Sequence, residues 1–135
     1  MTTSSLRSWD RSMLESYVGD ELYGFRNETA FHGTITIVAV RAGETYSLHV
    51  LKRYDSRRED SRPLTKDDWD QLTSLLNRAD FWAMQPEKLS MGLDGEFWTI
   101  EGTLGERRQH LHQWCPTDPR WHWIKDAFYS LATTH

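Results

Sequence analysis

Two segments of the chain, residues 34–51 and 97–114, alternate between apolar and polar side chains around a short turn sequence. Alternation with a period of two places successive side chains on opposite faces of a strand, so each segment predicts a β-hairpin with one apolar face. A hairpin joins antiparallel strands. This feature restricts the chain to folds that contain an antiparallel sheet.

The turn sequences predict a register for each hairpin. A turn centred on Ala42-Gly43 would close the first, and Gly105-Glu106 suits a type II′ turn in the second, because that turn takes glycine at its first central position. The pairs predicted for the first hairpin are Ile37–Leu48, Ile35–Val50 and Thr36–His49. Those predicted for the apolar face of the second are Ile100–Leu111, Leu104–Arg107 and Trp98–Gln113. Those predicted for its polar face are Glu101–His110, Thr99–His112 and Phe97–Trp114.

Three segments have apolar residues at helical spacing. Residues 5–18 predict a helix that ends at Gly19. A second helix begins after Thr65, which is a natural N-cap and forms a capping-box pattern with Asp68. Its predicted buried stripe is Trp69, Leu72, Leu75, Leu76 and Ala79. The last helix begins at Asp118-Pro119, and its stripe is Trp121, Ile124, Phe128 and Leu131.

The remaining segments are assigned as connections. Tyr23-Gly24-Phe25 is a possible short strand, residues 53–63 a charged connection, and Gly92–Gly95 a turn. The expected order is therefore α-ββ-α-ββ-α. We predict an α+β fold with a single antiparallel sheet of about four to five strands, and with the helices packed on one face. A polar face that carries the imidazole and aromatic rings of the strands would then remain open.

Composition narrows the class of protein. The chain has 135 residues, which predicts one domain over residues 1–135. Only 38% of the residues are hydrophobic, but seven Trp, five Tyr and five Phe indicate a folded, aromatic-rich core. One cysteine, no apolar N-terminal run and no apolar stretch of about 18 residues favour a cytoplasmic protein without a membrane span.

A net charge of −4 disfavours a nucleic-acid partner. The basic pairs Arg57-Arg58 and Arg107-Arg108 adjoin acidic residues, so we interpret them as solvated charge. A sheet face with stacking rings would be needed for RNA binding, and the acidic balance argues against it.

Two groupings have the residue types of a reactive site. His110 and His112 followed by Cys115 could contribute zinc ligands, but they lack a fourth ligand and the usual motif spacing, so no metal or other cofactor is expected. Glu101 opposite His110 could act as a base and its orienting group. A structural cross-strand pair is favoured, because no nucleophile or oxyanion hole accompanies it. We therefore expect no enzymatic activity.

The segment from Leu64 to Pro116 resembles a bacterial family of small proteins, many of them uncharacterised. The resemblance rests on the helix start Leu64–Trp69, the pair Phe81-Trp82, Gly92–Gly95, Trp98–Gly102 and Trp114–Pro116. The chain departs from the family's Tyr-His-x-x-x-Arg-Trp pattern, with Arg108, Gln109 and Gln113 at those positions. Members of the family look like the acidic proteins found beside polymorphic toxins, and the resemblance implies a compact α+β fold and an immunity role.

The leading hypothesis is a cytoplasmic, non-enzymatic immunity protein that neutralises a bacterial toxin by direct protein–protein contact. Acidic side chains would steer a basic partner, and the residues of the open sheet face would anchor it. The predicted contact residues are Glu59, Asp60, Asp67, Asp68, Asp70, Phe97, Glu101, His110, His112 and Trp114. The alternative is a small-ligand-binding protein or minor enzyme that uses the Glu101–His110 face. Trp82, Trp114 and Trp123 could also form an exposed interface cluster.

Overall fold

The computed structural model describes residues 12–29, 32–87 and 95–133. Six strands form one antiparallel sheet in the order β4-β3-β2-β1-β5-β6. The strands are β1 (Glu21–Thr29), β2 (Gly33–Ala42), β3 (Thr45–Arg53), β4 (Arg57–Pro63), β5 (Glu96–Leu104) and β6 (Arg107–Trp114). The helices are α1 (Lys66–Arg78) and α2 (Pro119–Thr133), with a single 3₁₀ turn at Phe81–Ala83.

The α+β class and the single antiparallel sheet are confirmed, but the predicted strand number and element order are wrong. The sheet has six strands, and the described elements run ββββ-α-ββ-α. The possible strand at Tyr23–Phe25 belongs to β1, which pairs with β2 on one side and β5 on the other. This strand therefore joins the two predicted hairpins into one sheet, and Phe25 on it is fully buried.

The register of the β5–β6 hairpin is confirmed, whereas that of the β2–β3 hairpin is shifted by two residues. Ile37 pairs with Val50 and Ala39 with Leu48, since the turn residues are Gly43-Glu44. Gly43 has a φ of 62° and Gly105 a φ of 59°, a conformation that glycine adopts without the steric cost of a Cβ atom. A shift of two residues keeps every side chain on its face, so the predicted apolar face is retained.

The prediction of a connection over residues 53–63 is also wrong, because Arg57–Pro63 forms the edge strand β4. Its residues carry charges of both signs and end in proline, and most of its side chains are exposed. Edge strands commonly use charge and proline to prevent pairing with other chains. These residues resemble a loop in composition while their backbone pairs with β3.

Both described helices begin at the predicted caps. Thr65 Oγ1 accepts a hydrogen bond from Asp68 N at 3.0 Å, and Asp68 Oδ2 accepts one from Thr65 N at 3.2 Å. In α2, Asp118 Oδ1 accepts a hydrogen bond from Arg120 N at 2.9 Å. These contacts satisfy backbone N–H groups that have no partner within the first helical turn.

The two helices cover one face of the sheet, as predicted. Trp121 near the start of α2 packs on Trp98 of β5, and Phe128 stacks on Phe25 of β1 at 6.0 Å between ring centroids. Trp69 of α1 lies 5.6 Å from Tyr46 of β3. We call the buried residues between helices and sheet the helix-side core. Its largest fully buried members are Trp121, Phe25, Phe81, Phe128, Ile37, Leu48, Leu76, Ile100 and Ile124.

A segment of non-helical chain packs on the opposite face. The predicted helix over residues 5–18 extends into residues 5–11, which lie outside the described part, and residues 13–16 form a turn rather than a helix. Tyr17 N donates to Leu14 O at 3.0 Å in this turn. We call residues 12–20 the N-terminal strap. Its Met13 and Leu14 form a small second cluster with Leu22, Val38 and Val40.

Candidate binding surface

The face opposite the helices carries most of the candidate site residues. Glu101 lies directly opposite His110, Thr99 opposite His112, and Phe97 opposite Trp114. Directly opposed residues in an antiparallel pair share a face of the sheet. The register therefore places these rings and polar groups together near the β6 edge, as the sequence predicted.

Glu101 does not lie on the surface, which corrects its predicted role as a contact residue. It is only 5% exposed, because the N-terminal strap crosses above it. Its Oε1 accepts a hydrogen bond from Met13 N at 2.6 Å, and its Oε2 lies 2.9 Å from His110 Nδ1. The carboxylate thus connects the strap to β6 from below the surface.

The rings of β5 and β6 are held by buried polar neighbours. His112 Nδ1 lies 2.8 Å from Oγ1 of the fully buried Thr99, and the His112 ring stacks on Phe97 at 4.7 Å with an interplanar angle of 6°. The His110 side chain is 43% exposed. We call Phe97, His110, His112 and Trp114 the β6 ring patch; its other three members are half-buried.

His49 is half-covered on the same face. The ring of Tyr17, on the strap, lies 4.7 Å from the His49 ring. His49 Nε2 is 3.0 Å from Ser47 Oγ, and Nδ1 is 2.8 Å from Ser61 Oγ. Burial lowers the pKa of His49, because a cationic imidazole is poorly solvated there. The predicted open face is therefore partly closed over β3 as well as over Glu101.

A cavity of about 800 Å³ lies between the strap and strands β1 to β4. In the described part of the chain its lining is rich in charge, with side chains of both signs. These charged residues are Glu15, Arg26, Glu28, Arg53, Arg57 and Glu59. Arg26 Nε donates to Thr36 Oγ1 at 3.2 Å, which fixes this guanidinium above the sheet.

Three of the five predicted steering acids are engaged within the chain. Glu59 pairs with Arg57 at 2.7 Å, Asp70 pairs with Lys66 at 2.7 Å, and Asp68 belongs to the α1 capping box. Asp60 and Asp67 are exposed, and they form no salt bridge with another described residue. Asp60 lies on β4, at the sheet edge opposite β6 and roughly 24 Å from it, and Asp67 lies in the first turn of α1. The two exposed acidic residues and the β6 ring patch therefore do not form one continuous surface.

The described residues contain no group of three or more His, Cys, Asp and Glu side chains that could hold a metal ion. His110 and His112 project from the same face of β6, with Nδ1 of each held by a β5 side chain. Cys115 Sγ accepts a hydrogen bond from Glu96 N at 3.4 Å. Within the same residues, no helix has the length and apolar character needed to cross a membrane.

The tryptophans that could have formed an interface cluster are separated. Trp82 packs against Phe81, and the Arg107 guanidinium lies 4.3 Å above its ring. Trp114 is on the strap side of the sheet, whereas Trp123 is on α2 and 44% exposed. No ring contact joins any two of the three among the described residues.

No protein-family model matches the chain, and no curated protein matches it.

Proposed function

We propose that the chain is a non-enzymatic binding protein of the immunity type, which neutralises a bacterial toxin by direct contact in the cytoplasm. The β6 ring patch is its anchor surface. The supporting observation is that buried groups hold two of these rings in place: Thr99 contacts His112, and Glu101 contacts His110. Side chains already fixed in the free protein lose little conformational entropy when a partner binds.

The ring patch has the chemistry of an interface centre. Interface hot spots are enriched in aromatic residues that pack in well-ordered surroundings. Trp114 and Phe97 offer apolar area, and His110 and His112 offer polar ring edges beside it. Glu101 acts from beneath, as a positioning residue for His110 rather than as a contact.

The acidic residues have a smaller role than the sequence suggests. Glu59, Asp68 and Asp70 already have partners in the chain. Asp60 and Asp67 remain available for long-range steering, and they act together with the net charge of −4. Such charges increase the association rate of a basic partner more than they increase the final affinity.

The test is co-expression with the toxin encoded by the neighbouring gene, with cell survival and co-purification as readouts. Wild-type protein should protect the cells, and Trp114→Ala should weaken toxin binding by about 30-fold, the loss typical of a hot-spot residue. Trp123→Ala is the matched control, because Trp123 is exposed on the helix-covered side. Killing that is unaffected by the wild-type protein, or full protection by Trp114→Ala, would refute the proposal.

A small-ligand-binding function at Glu101–His110 is the second candidate. Its support is the 2.9 Å contact between a buried carboxylate and an exposed imidazole, the arrangement by which one group orients another for proton transfer. The same carboxylate also accepts the Met13 N–H, which favours a structural role. A thermal-shift screen against metabolites separates the two: a hit that disappears in His110→Ala supports the ligand site.

A further inference from the structure

The strand register arranges the face of the sheet that carries the strap into rows, each of which crosses all six strands. Directly opposed residues of neighbouring strands share a row, and successive rows on one face are about 7 Å apart. The row that we call the covered row is His110, Glu101, Gly24, Val38, His49 and Ser61. The strap lies over this row, since Met13 contacts Glu101 and Tyr17 contacts His49.

Two further rows lie beyond the covered row, and we call them together the trough. The middle row is His112, Thr99, Arg26, Thr36, Leu51 and Glu59. The end row is Trp114, Phe97, Glu28, Thr34, Arg53 and Arg57. On β1 to β4 these rows form the floor of the 800 Å³ cavity. On β5 and β6 Thr99 is fully buried, so the rings of the β6 ring patch form the surface there.

The trough has the width of one extended chain. Its floor is two rows about 7 Å apart, and it is about 24 Å long across the six strands. Glu15 and Ser16 of the strap, both exposed, line one side of the cavity over it. An α-helix with its side chains is about 10–12 Å in diameter and therefore exceeds this width. The strap, which is not helical, already crosses the strands along the neighbouring row.

The end row changes in chemical character along the trough. Arg53 lies directly opposite Arg57. Glu59 pairs with Arg57 at 2.7 Å, but Arg53 forms no salt bridge with another described residue, so this end has an excess of positive charge. Glu28 follows two strands away from Arg53, and Trp114 lies two strands beyond Glu28. Each of these intervals is about 10 Å.

A polyproline-II segment matches these intervals. It rises about 9 Å in three residues, and every third side chain points in the same direction. Three side chains at intervals of three residues can therefore face the positive end, the carboxylate of Glu28 and the ring patch in turn.

We propose that the trough binds an extended segment of the toxin in which an acidic, a basic and an aromatic residue follow one another at intervals of three. The acidic side chain binds Arg53 and Arg57, and relieves the repulsion between these directly opposed cations. The basic side chain binds Glu28, and the aromatic ring packs on the β6 ring patch. The inference deepens the proposed function, on which it rests for the identity of the partner.

The experiment is an NMR titration of the full chain with the synthetic peptide Ac-Asp-Pro-Ser-Lys-Pro-Ser-Trp-NH₂, whose prolines favour the polyproline-II conformation. Binding should shift the amide signals of Thr34, Leu51 and Arg53, and leave those of the helix-side core unchanged. The control peptide exchanges Asp and Lys, which keeps the composition and the net charge. It should bind about fivefold more weakly, because each of its charges then faces a like charge on the protein.

Arg53→Gln tests the positive end of the trough. It should weaken binding of the first peptide by about fivefold. Its melting temperature should equal or exceed that of the wild type, because the substitution removes a like-charge pair. Arg58→Gln is the matched control, since Arg58 follows Arg57 on β4 and strand alternation places its side chain on the opposite face of the sheet.

Four outcomes would overturn the inference. They are no binding of the first peptide at millimolar concentration, equal binding of the two peptides, equal losses in Arg53→Gln and Arg58→Gln, or tighter binding of a synthetic peptide of residues 1–11. The last result would assign the trough to this chain's own N-terminal segment. Because the titration contains no toxin, its failure is distinguishable from failure of the co-expression test. Protection that Trp114→Ala abolishes, without peptide binding, refutes only this inference, whereas peptide binding without protection refutes only the proposed function.

Discussion

At the scale of single residues, Thr65 is the N-cap of α1, and its contribution to stability can be measured. Its hydroxyl and the Asp68 carboxylate satisfy two backbone N–H groups that the helix itself leaves without partners. We predict that Thr65→Ala lowers the free energy of unfolding by about 1 kcal/mol, measured by urea denaturation. Thr73→Ala is the control in the same helix. It should be neutral or slightly stabilising, because alanine is the better helix former.

His49 makes folding stability depend on pH. Burial lowers its pKa from the ordinary value of about 6.5, so the unfolded chain binds a proton more readily than the folded chain does. This contribution to stability is therefore present above pH 6.5 and is lost as the pH falls toward the folded-state pKa. We predict that His49→Gln loses less stability than the wild type between pH 7.5 and 5.5, as measured by urea denaturation.

The same prediction can be checked directly by NMR. Titration of the His49 ring protons should give a midpoint below about 6.5. The neighbouring groups are Tyr17 on the strap and two serine hydroxyls, Ser47 and Ser61, none of which is an acid that would stabilise the cation. A midpoint above the ordinary value would contradict the assignment of burial as the cause.

At the scale of elements, two glycines on neighbouring strands leave space for packing on opposite faces. A Cβ atom on Gly24 of β1 would lie 2.5 Å from Met13 Sδ, on the strap. A Cβ atom on Gly102 of β5 would lie 2.6 Å from the ring of Phe81, in the helix-side core. The strap side chain is flexible, whereas the Phe81 ring is fully enclosed.

We predict different consequences for the same substitution at these two glycines. Gly102→Val should cost about 2 kcal/mol or more of global stability, because the packed core resists extra volume. Gly24→Val should cost less and should instead displace the strap, which chymotrypsin would then cleave after Tyr17. Urea denaturation and limited proteolysis measure the two effects. Equal global losses without strap cleavage would show that the strap is as firmly packed as the core.

The second hairpin shows how far local sequence determines an element here. Its pattern and its Gly105-Glu106 turn were sufficient to predict every pair correctly. The first hairpin turns at the same dipeptide, Gly43-Glu44, and the prediction placed its turn one residue too early. Turn chemistry therefore determined the register in both cases, and alternation alone determined only the faces.

The candidate site was predictable only where it depends on one hairpin. The contacts of Glu101 with His110 and of Thr99 with His112 follow from that register. The strap over Glu101 depends on long-range packing, and the pairing of β3 with β4 depends on an edge strand without an apolar pattern. Hydrophobic periodicity in a sequence reflects which side chains are buried. Because β4 buries almost no side chains, its sequence has no such pattern.

At the scale of the whole molecule, the two sides of the sheet are unequally packed. Among the residues that the structure describes, the helix-side core contains eighteen buried residues and the strap-side cluster contains five. Local opening free energies follow the amount of buried apolar surface that an element contributes. The strap should therefore separate from the sheet without unfolding the rest of the chain.

Native-state hydrogen exchange tests whether the two faces of the sheet differ in local stability. The Met13 amide, which donates to Glu101, should exchange with a free energy well below that of global unfolding and almost independent of dilute urea. Amides of Phe25, Ile37 and Ile100 should exchange only through global unfolding, because their strands carry the helix-side core. Exchange of the Met13 amide at the rate of global unfolding would show that the strap unfolds cooperatively with the rest of the chain. Separate opening would expose Glu101 and Thr99 beside the β6 ring patch, so a partner that binds the patch could also gain contact with the sheet beneath the strap.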